Sequence, residues 1–265
     1  MPGRDVTLDA LAVAVSEAAE RAMAYWGVGN EALRHWEKLP GHPVSNADLL
    51  VDDHLKKTLG ALAPDAAWLS EETTDDPVRV GADRLWLVDP IDGTRDFVRG
   101  RPGWAVSVAL VERGEVVLAA LAAPARGELW LAAKGQGATR NGAVLSASSR
   151  TDLPGARVPT DTLPRADADL AIVDKPNSIA LRMAMVAANE ADLVATVRWG
   201  AEWDIAASSL IAQEAGAAVT DALGCRMTFN RPSPFALGML CCAPGIHAAA
   251  VARLAERATA VLKDG

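Results

Sequence analysis

The sequence predicts a mixed α/β protein with an α+β first half, in which helices pack on an antiparallel sheet, and an α/β second half. Three observations indicate this class. Apolar residues first recur at helical spacing, then form strand-like runs separated by tight turns, and finally lie in alternating helix-like and strand-like segments. Prolines interrupt every pattern between about 146 and 175, so we place a junction there. The predicted halves are residues 1–150 and 151–265.

Length, charge and cysteine content restrict the class of protein. The 265 residues fit one large domain or two tightly joined ones, and half of them are hydrophobic. The net charge of -8 argues against nucleic-acid binding, because a phosphate backbone requires a basic face. The three cysteines have no CxxC spacing, and neither a signal peptide nor a membrane-length apolar run is evident. We therefore expect a cytoplasmic protein that binds no membrane.

The first predicted elements are two helices and a short strand. Residues 5–25 carry an apolar stripe at helical spacing. A second helix begins after Ser45, because Ser45 and Asp48 have the spacing of a capping box. Residues 67–69 are typical of a short strand.

A series of antiparallel strands is predicted next. Residues 85–88 are wholly apolar and too few for a helix. The runs that follow are 104–112, 115–124 and 128–133, separated by charged turns typical of a meander. The glycines of KGQGATRNGAVL suggest a nucleotide loop, but no strand-loop-helix surrounds them. Asn141-Gly142 instead indicates a type I′ turn in a hairpin.

The second half alternates helix and strand. Its predicted helices cover 177–192, 203–216 and 245–262. Its predicted strands cover 192–196, 217–221 and 237–241.

The most informative stretch is LWLVDPIDGTRDF, in which an apolar strand runs directly into Asp89 and Asp92. An unpaired ionised carboxylate after such a strand is costly. Pro90 biases Asp89 towards an extended backbone and Gly93 permits a tight turn, so both acids can point at one spot. Carboxylates that close repel each other unless one is protonated or a cation lies between them. The stretch alone allows either a metal site or a charged turn.

Four other acids are candidates, each with a structural alternative: Asp48, Glu71, Glu72 and Asp204. The two aspartates suit helix caps, and the two glutamates suit a solvated turn. No His or Cys belongs to the candidate set, and an all-oxygen set favours Mg²⁺ or a similar hard cation. The carbonyl of Ile91 can add a ligand.

Four motifs together resemble the inositol monophosphatase superfamily, whose signature has the form DPxDGTxxF. Here the signature reads DPIDGTRDF from Asp89, and it is accompanied by VSNAD, LSEET and WDIAA. The resemblance covers most of the chain and is weakest between about 146 and 175. It implies a layered αβαβα sandwich of the sugar-phosphatase type and a metal-dependent phosphatase activity.

The resemblance also implies the metal ligands. Glu71, Asp89 and the Ile91 carbonyl would hold one Mg²⁺. Asp89 would bridge to a second ion, held also by Asp92 and Asp204. Two or three ions per site are expected.

The resemblance further implies how water and phosphate are handled. Thr94, oriented by Asp48, would act with Glu71 to position and deprotonate the attacking water. The N–H groups of Gly93 and Thr94 would receive phosphate oxygens. A family member that had lost catalysis would lack one of these residues, and all are present. Dimers are common in the family, so the resemblance allows a homodimer.

The residues around the motifs favour one substrate class. Arg95 followed by an acid resembles the CysQ-type 3'(2'),5'-bisphosphate nucleotidases, which hydrolyse 3'-phosphoadenosine 5'-phosphate to AMP. Inositol phosphatases more often read DGTTNF and carry an acid shortly before the WD motif, where this chain has Arg198 and Trp199. These two residues suit a second phosphate and an adenine, and equally suit ordinary surface and core positions. Ser178 is a further expected substrate contact. The alternative is an inositol-1-monophosphatase or a related sugar-phosphate phosphatase.

Overall fold

The computed structural model describes residues 6–264. The helices are α1 (Leu8–Met23), α2 (Asn46–Leu62), α3 (Thr94–Val98), α4 (Ile179–Ala187), α5 (Glu202–Glu214) and α6 (His247–Asp264). The strands are β1 (His35–Leu39), β2 (His42–Ser45), β3 (Ala67–Ser70), β4 (Arg84–Asp92), β5 (Ala105–Glu112), β6 (Glu115–Ala123), β7 (Glu128–Ala133), β8 (Ala138–Arg140), β9 (Ala143–Val144), β10 (Arg157–Pro159), β11 (Ala171–Val173), β12 (Leu193–Ala201), β13 (Ala218–Thr220) and β14 (Phe235–Cys242). Among the described residues, no helix combines the length and apolarity of a membrane span.

The larger sheet has seven strands in the order β3-β4-β5-β6-β7-β8-β9. Strands β3 and β4 pair in parallel, and the other neighbours are antiparallel, which confirms the predicted meander. The last pair is the predicted hairpin. Its turn residues Asn141 and Gly142 have φ values of 51° and 80°, the two positive values that a type I′ turn requires.

The smaller sheet has the order β12-β14-β13, and both of its pairs are antiparallel. Strands β10 and β11 form a separate parallel pair inside the proline-interrupted segment. Each has only three residues, too few to leave a periodic pattern in the sequence.

Helices cover both faces of the larger sheet and separate it from the smaller one. Trp86 and Val88 of β4 pack with α1 and α2, whereas Leu85 and Leu87 pack in the core that contains α4 and α5. Burial on both faces explains why this strand is wholly apolar. Helix α6 packs on the opposite face of the smaller sheet, where Leu254 joins a third core. This order of helix and sheet layers confirms the predicted αβαβα sandwich.

The core between the two sheets draws on both sides of the predicted junction. Leu121 of β6 and Ile211 of α5 belong to the same buried cluster. The two halves therefore share one core, and the boundary at 150/151 stays a prediction.

Several elements differ from the sequence-based expectation, and α4 ends at Ala187 rather than at 192. Helix α1 is shorter at both ends than 5–25, since Thr7 caps it, and residue 5 lies outside the described range. Strands β1 and β2 form a hairpin that no periodic pattern marks, because every residue of β1 is exposed. Strand β12 continues to Ala201, well beyond the predicted end at 196.

Asp192 is a buried acid that ties β10 to the start of β12. Its carboxylate accepts hydrogen bonds from the backbone N–H and the guanidinium of Arg157, at 2.8–2.9 Å. Burial raises the pKa of Asp192, but these bonds and one from Ser148 outweigh that effect and lower the pKa to about 2.

Asp192→Asn is expected to lower the free energy of unfolding at pH 7 by about 2–4 kcal/mol, because Arg157 loses its charged partner. The pKa in the folded state lies below the usual value of about 4. The stabilisation that the ionised Asp192 carboxylate provides is therefore present above about pH 4 and is lost as the pH falls towards 2. Urea unfolding at pH 7 and pH 3 measures this effect, with exposed Asp152→Asn as the control. A difference from wild type that is as large at pH 3 as at pH 7 would contradict the prediction.

Candidate active site

The acidic loop begins where β4 ends. The register of β4 against β5 shifts between Asp89 and Asp92, so regular pairing breaks there. Gly93 follows with a φ of 95° and precedes α3. A Cβ at Gly93 would lie 2.7 Å from the Gly103 carbonyl oxygen and 2.9 Å from the Ser178 nitrogen, so only glycine fits without moving the backbone. This turn places both carboxylates in one pocket, lined also by Glu71 and Asp204, which we call the acid pocket.

Three carboxylates from different elements meet in this pocket. Glu71 directly follows β3, Asp89 belongs to β4, and Asp204 lies in the first turn of α5. One oxygen from each lies within 4.8 Å of the others. Parallel pairing of β3 with β4 brings the first two together, since both strands end at the same edge. Ile91 lines the same pocket.

This donor set fits a hard divalent cation. Burial raises the pKa of Asp89 and of Asp204 well above the usual value, and the neighbouring carboxylates raise both further. A cation between them offsets that repulsion. Carboxylate oxygens, with the Ile91 carbonyl near by, are the ligands that Mg²⁺ prefers.

Asp92 lies beside the three-carboxylate cluster and is fixed by α4. Its Oδ2 accepts hydrogen bonds from Ser178 Oγ at 2.5 Å and from the Ala180 N–H at 2.7 Å. Its Oδ1 accepts only a longer bond of 3.3 Å, from the Ile179 N–H. Burial raises the pKa of Asp92 to about 6, although the bonds from Ser178 and Ala180 lower it. Oδ1 is therefore the oxygen more available to a cation.

The structure also brings Thr94 to Asp48. Thr94 Oγ1 lies 3.3 Å from Asp48 Oδ1 and 3.0 Å from the Ile91 carbonyl oxygen. Asp48 Oδ2 accepts bonds from Ser45 N at 2.8 Å and Ser45 Oγ at 2.6 Å, which completes the capping box of α2. Burial raises the pKa of Asp48 to about 6, although the bonds from Ser45 lower it. The cap and the Thr94 contact use different oxygens, so the two interpretations of Asp48 are compatible.

A lysine that sequence patterns did not indicate also reaches the pocket. Lys38 Nζ of β1 lies 3.1 Å from Glu71 Oε1 and 2.6 Å from Glu72 Oε1. Burial raises the pKa of Glu72 to about 7, although Lys38 lowers it. His42, at the start of β2, lines the pocket as well. The β1–β2 hairpin is thus part of the site.

The expected substrate contacts lie in different surroundings. Gly93, Thr94 and Arg95 line the pocket, and Arg95 Nη2 also donates to the carbonyl of Gly41, at 2.6 Å. Ser178 is fully buried and its hydroxyl donates to Asp92, so it orients that acid, and a contact with substrate stays a prediction.

Arg198 and Trp199 do not line the pocket. They lie exposed on β12, because this strand extends along the edge of the smaller sheet. A contact between Arg198 and substrate stays a prediction, and the structure offers no support for it.

A larger cavity of about 610 Å³ adjoins the pocket and shares Arg95 and Asn177 with it. Its charged lining residues are Arg95, Asp96, Arg99, Arg101, Arg126, Asp161, Asp174 and Lys175. Five of these are basic and three are acidic. We call it the basic cavity, since its charge is opposite to that of the neighbouring acids.

The five-layer fold and the cluster of three carboxylates fit the class of metal-dependent phosphatases. Residues 4–260 match the model of the inositol monophosphatase family, and the chain belongs to that family. An inositol monophosphatase of Dictyostelium discoideum is 38% identical over 197 residues, which are 68% of this chain and 72% of that protein. The Nus factor SuhB of Xylella fastidiosa is 35% identical over 220 residues, or 74% and 78%. An IMPase structure from Thermotoga maritima has a TM-score of 0.81 and 29% identity, covering 94% of this chain and 96% of that one.

Proposed function

We propose that this chain is a Mg²⁺-dependent phosphomonoesterase that hydrolyses 3'-phosphoadenosine 5'-phosphate to AMP and phosphate. The basic cavity carries this choice of substrate. A monophosphate needs only the acid pocket with its cation, whereas a bisphosphate needs a second anion site within reach. Arg95 borders both spaces, which supports one substrate that extends from one into the other.

The basic cavity has cations suited to a second phosphate. Arg99 and Arg101 follow α3 directly and are exposed. A guanidinium offers parallel donors that match phosphate oxygens. Arg126, by contrast, is held by Glu128 at 3.0 Å. Arg99 and Arg101 are therefore the two arginines that we expect to bind the second phosphate.

The acid pocket supplies the ligands for the cation. We propose that Glu71, Asp89, Asp92, Asp204 and the Ile91 carbonyl hold two or three Mg²⁺ ions, and the number of carboxylates supports more than one. Bound there, the metal supplies positive charge to the phosphate and lowers the pKa of a bound water. The same charge offsets the repulsion that the acids would exert on an anionic substrate.

The remaining residues orient water and phosphate. When the Thr94 hydroxyl donates to Asp48, its lone pairs remain free to accept a hydrogen bond from the attacking water. Glu71, like Asp204, is a partly exposed carboxylate of the cluster. The resemblance to the family supports Glu71 as the acceptor of the proton from that water. The N–H groups of Gly93 and Thr94 open α3 and are the expected donors to phosphate oxygens.

The test is phosphate release, with Mg²⁺, from 3'-phosphoadenosine 5'-phosphate, inositol 1-phosphate and fructose 1,6-bisphosphate in parallel. We expect the nucleotide to have the highest kcat/KM. Arg101→Gln should raise KM for the nucleotide about tenfold, the effect of one lost charged contact, and leave inositol 1-phosphate unchanged. Arg113→Gln, which removes an exposed arginine that lines neither cavity, is the control. A preference for either other substrate, or an equal effect of Arg101→Gln on all three, would refute the nucleotide assignment.

The second candidate is an inositol-1-monophosphatase. The name of the Dictyostelium relative, at 38% identity, favours it. In that case the basic cavity is not part of the substrate site. Cytoplasmic location and a homodimer remain predictions, which fractionation of cells and light scattering of the purified chain can decide.

A further inference from the structure

A third cavity lies apart from the two already described. It has a volume of about 210 Å³ and is bordered by β12, α6 and the segment from β10 to residue 170. We call it the α6 cavity. Its walls are mainly apolar and include Val158, Leu163, Leu170, Leu193 and Leu254. An apolar cavity of about 150 Å³ holds benzene, so this one is large enough for a single ring or a branched chain with one polar group.

Three arginines also border the α6 cavity, and two of them are already neutralised. Arg253 forms a two-pronged ion pair with Asp169, at 2.7 and 2.9 Å. Arg257 forms another with Asp167, at 2.8 and 3.1 Å. These pairs attach α6 to the segment before β11 and leave little positive charge for a ligand.

Arg182 of α4 is the exception. Its Nε donates to the Pro176 carbonyl at 2.9 Å and its Nη2 to the Asn177 carbonyl at 2.6 Å, both uncharged partners. Asp92, Asp161 and Asp96 are near enough to act on this guanidinium electrostatically, but within residues 6–264 none of them forms a direct ion pair with it. The partly buried guanidinium therefore has no directly bound anion, and a ligand carboxylate would supply one.

We propose that the α6 cavity binds a small apolar carboxylate, whose ring or branched chain fills the apolar part and whose carboxylate pairs with Arg182. A neutral apolar ligand would gain from burial but leave the guanidinium without a directly bound anion. An inorganic anion would pair with Arg182 and gain nothing from the leucine and valine walls. Only a ligand with an apolar group and a carboxylate contacts both the apolar walls and Arg182.

A ligand in the α6 cavity would affect the acid pocket through the start of α4. Arg182 holds the carbonyls of Pro176 and Asn177, and the next residue, Ser178, orients Asp92. Ile179 lines both the α6 cavity and the acid pocket. A carboxylate on Arg182 competes with those carbonyls, so we expect it to lower the rate of phosphate release about fivefold, as for a modest coupling between sites.

The test is calorimetric titration of the purified protein with benzoate, phenylacetate and 3-methylbutanoate, and with benzamide as the neutral analogue of benzoate. We expect at least one carboxylate to bind at about 10 mM or below, and benzamide to bind at least about tenfold more weakly than benzoate, as expected for loss of a charge-assisted hydrogen bond. Arg182→Gln should reduce carboxylate binding by a similar factor. Ala250→Leu fills the cavity from α6 and should abolish binding.

Melting curves establish that both variants fold, and Arg113→Gln again serves as the control. Absence of carboxylate binding to wild type, equal binding of benzamide, or unchanged binding to folded Ala250→Leu would overturn the proposed site. Binding without any change in phosphate release would overturn the coupling alone. Because calorimetry needs no substrate, these outcomes are independent of which phosphate ester the enzyme cleaves.

Discussion

Asp89→Asn is expected to lower the rate of phosphate release at least about a thousandfold, a loss of about 4 kcal/mol in transition-state stabilisation. Asp89 lies at the centre of the acid pocket, contributes an oxygen to the three-carboxylate cluster, and is buried. Asparagine keeps the size of the side chain but removes the negative charge that holds a divalent cation.

The measurement is kcat at saturating Mg²⁺, with circular dichroism to verify the fold. Asp83→Asn changes an exposed acid at the start of β4 and should leave kcat within about twofold of wild type, as is usual for surface substitutions. If Asp89→Asn retained a tenth of the wild-type rate or more, the metal-site assignment would be wrong.

Asp204→Asn is expected to have opposite effects on stability with and without metal. In the metal-free protein, burial and neighbouring carboxylates raise the pKa of Asp204, so its ionised form opposes folding. A carboxyl whose pKa is raised on folding costs stability as the pH rises above its unfolded value of about 4. At pH 8 the metal-free variant should therefore be more stable than metal-free wild type by about 1–3 kcal/mol, or about 2–10 °C in Tm.

Bound metal should reverse this order of stability, so that wild type melts above Asp204→Asn. At a concentration one hundred times its Kd, a cation stabilises wild type by about 2.7 kcal/mol, whereas the variant lacks one ligand and should gain much less. Thermal unfolding in EDTA and in Mg²⁺ measures both shifts. A metal-free variant that melts below metal-free wild type at pH 8 would mean that Asp204 stabilises the fold by itself, as a helix cap does.

The loop from Asp89 to Gly93 could be predicted from the sequence because the residues that restrict its backbone are close together in the chain. Asp89, Pro90, Asp92 and Gly93 lie within five residues, and proline and glycine restrict the backbone enough to indicate where the carboxylates point. The apolar run before them is buried on both faces of the larger sheet, as such runs usually are. Asp204 lies more than a hundred residues further on, and only the resemblance to a family connected it to the loop.

The residues whose surroundings the sequence could not indicate depend on how the elements pack against one another. Ser178 could have faced substrate or Asp92, and the way in which α4 meets the end of β4 decides between them. Arg198 depends on where β12 ends, and the strand runs past it. Lys38 lies on an exposed hairpin, where no buried stripe produces a pattern. None of these outcomes is encoded in a short window of sequence.

The hydrogen bonds from the start of α4 to Asp92 mean that the site needs both halves of the chain. Asp92 and Asp89 come from one half, whereas Asp204 and the donors Ser178 and Ala180 come from the other. A nascent chain that has emerged only as far as residue 150 carries the signature motif but neither the remaining carboxylate nor the groups that aim Asp92. The carboxylate cluster is therefore incomplete until α4 and α5 are in place, and we expect a chain that ends before them to release no phosphate.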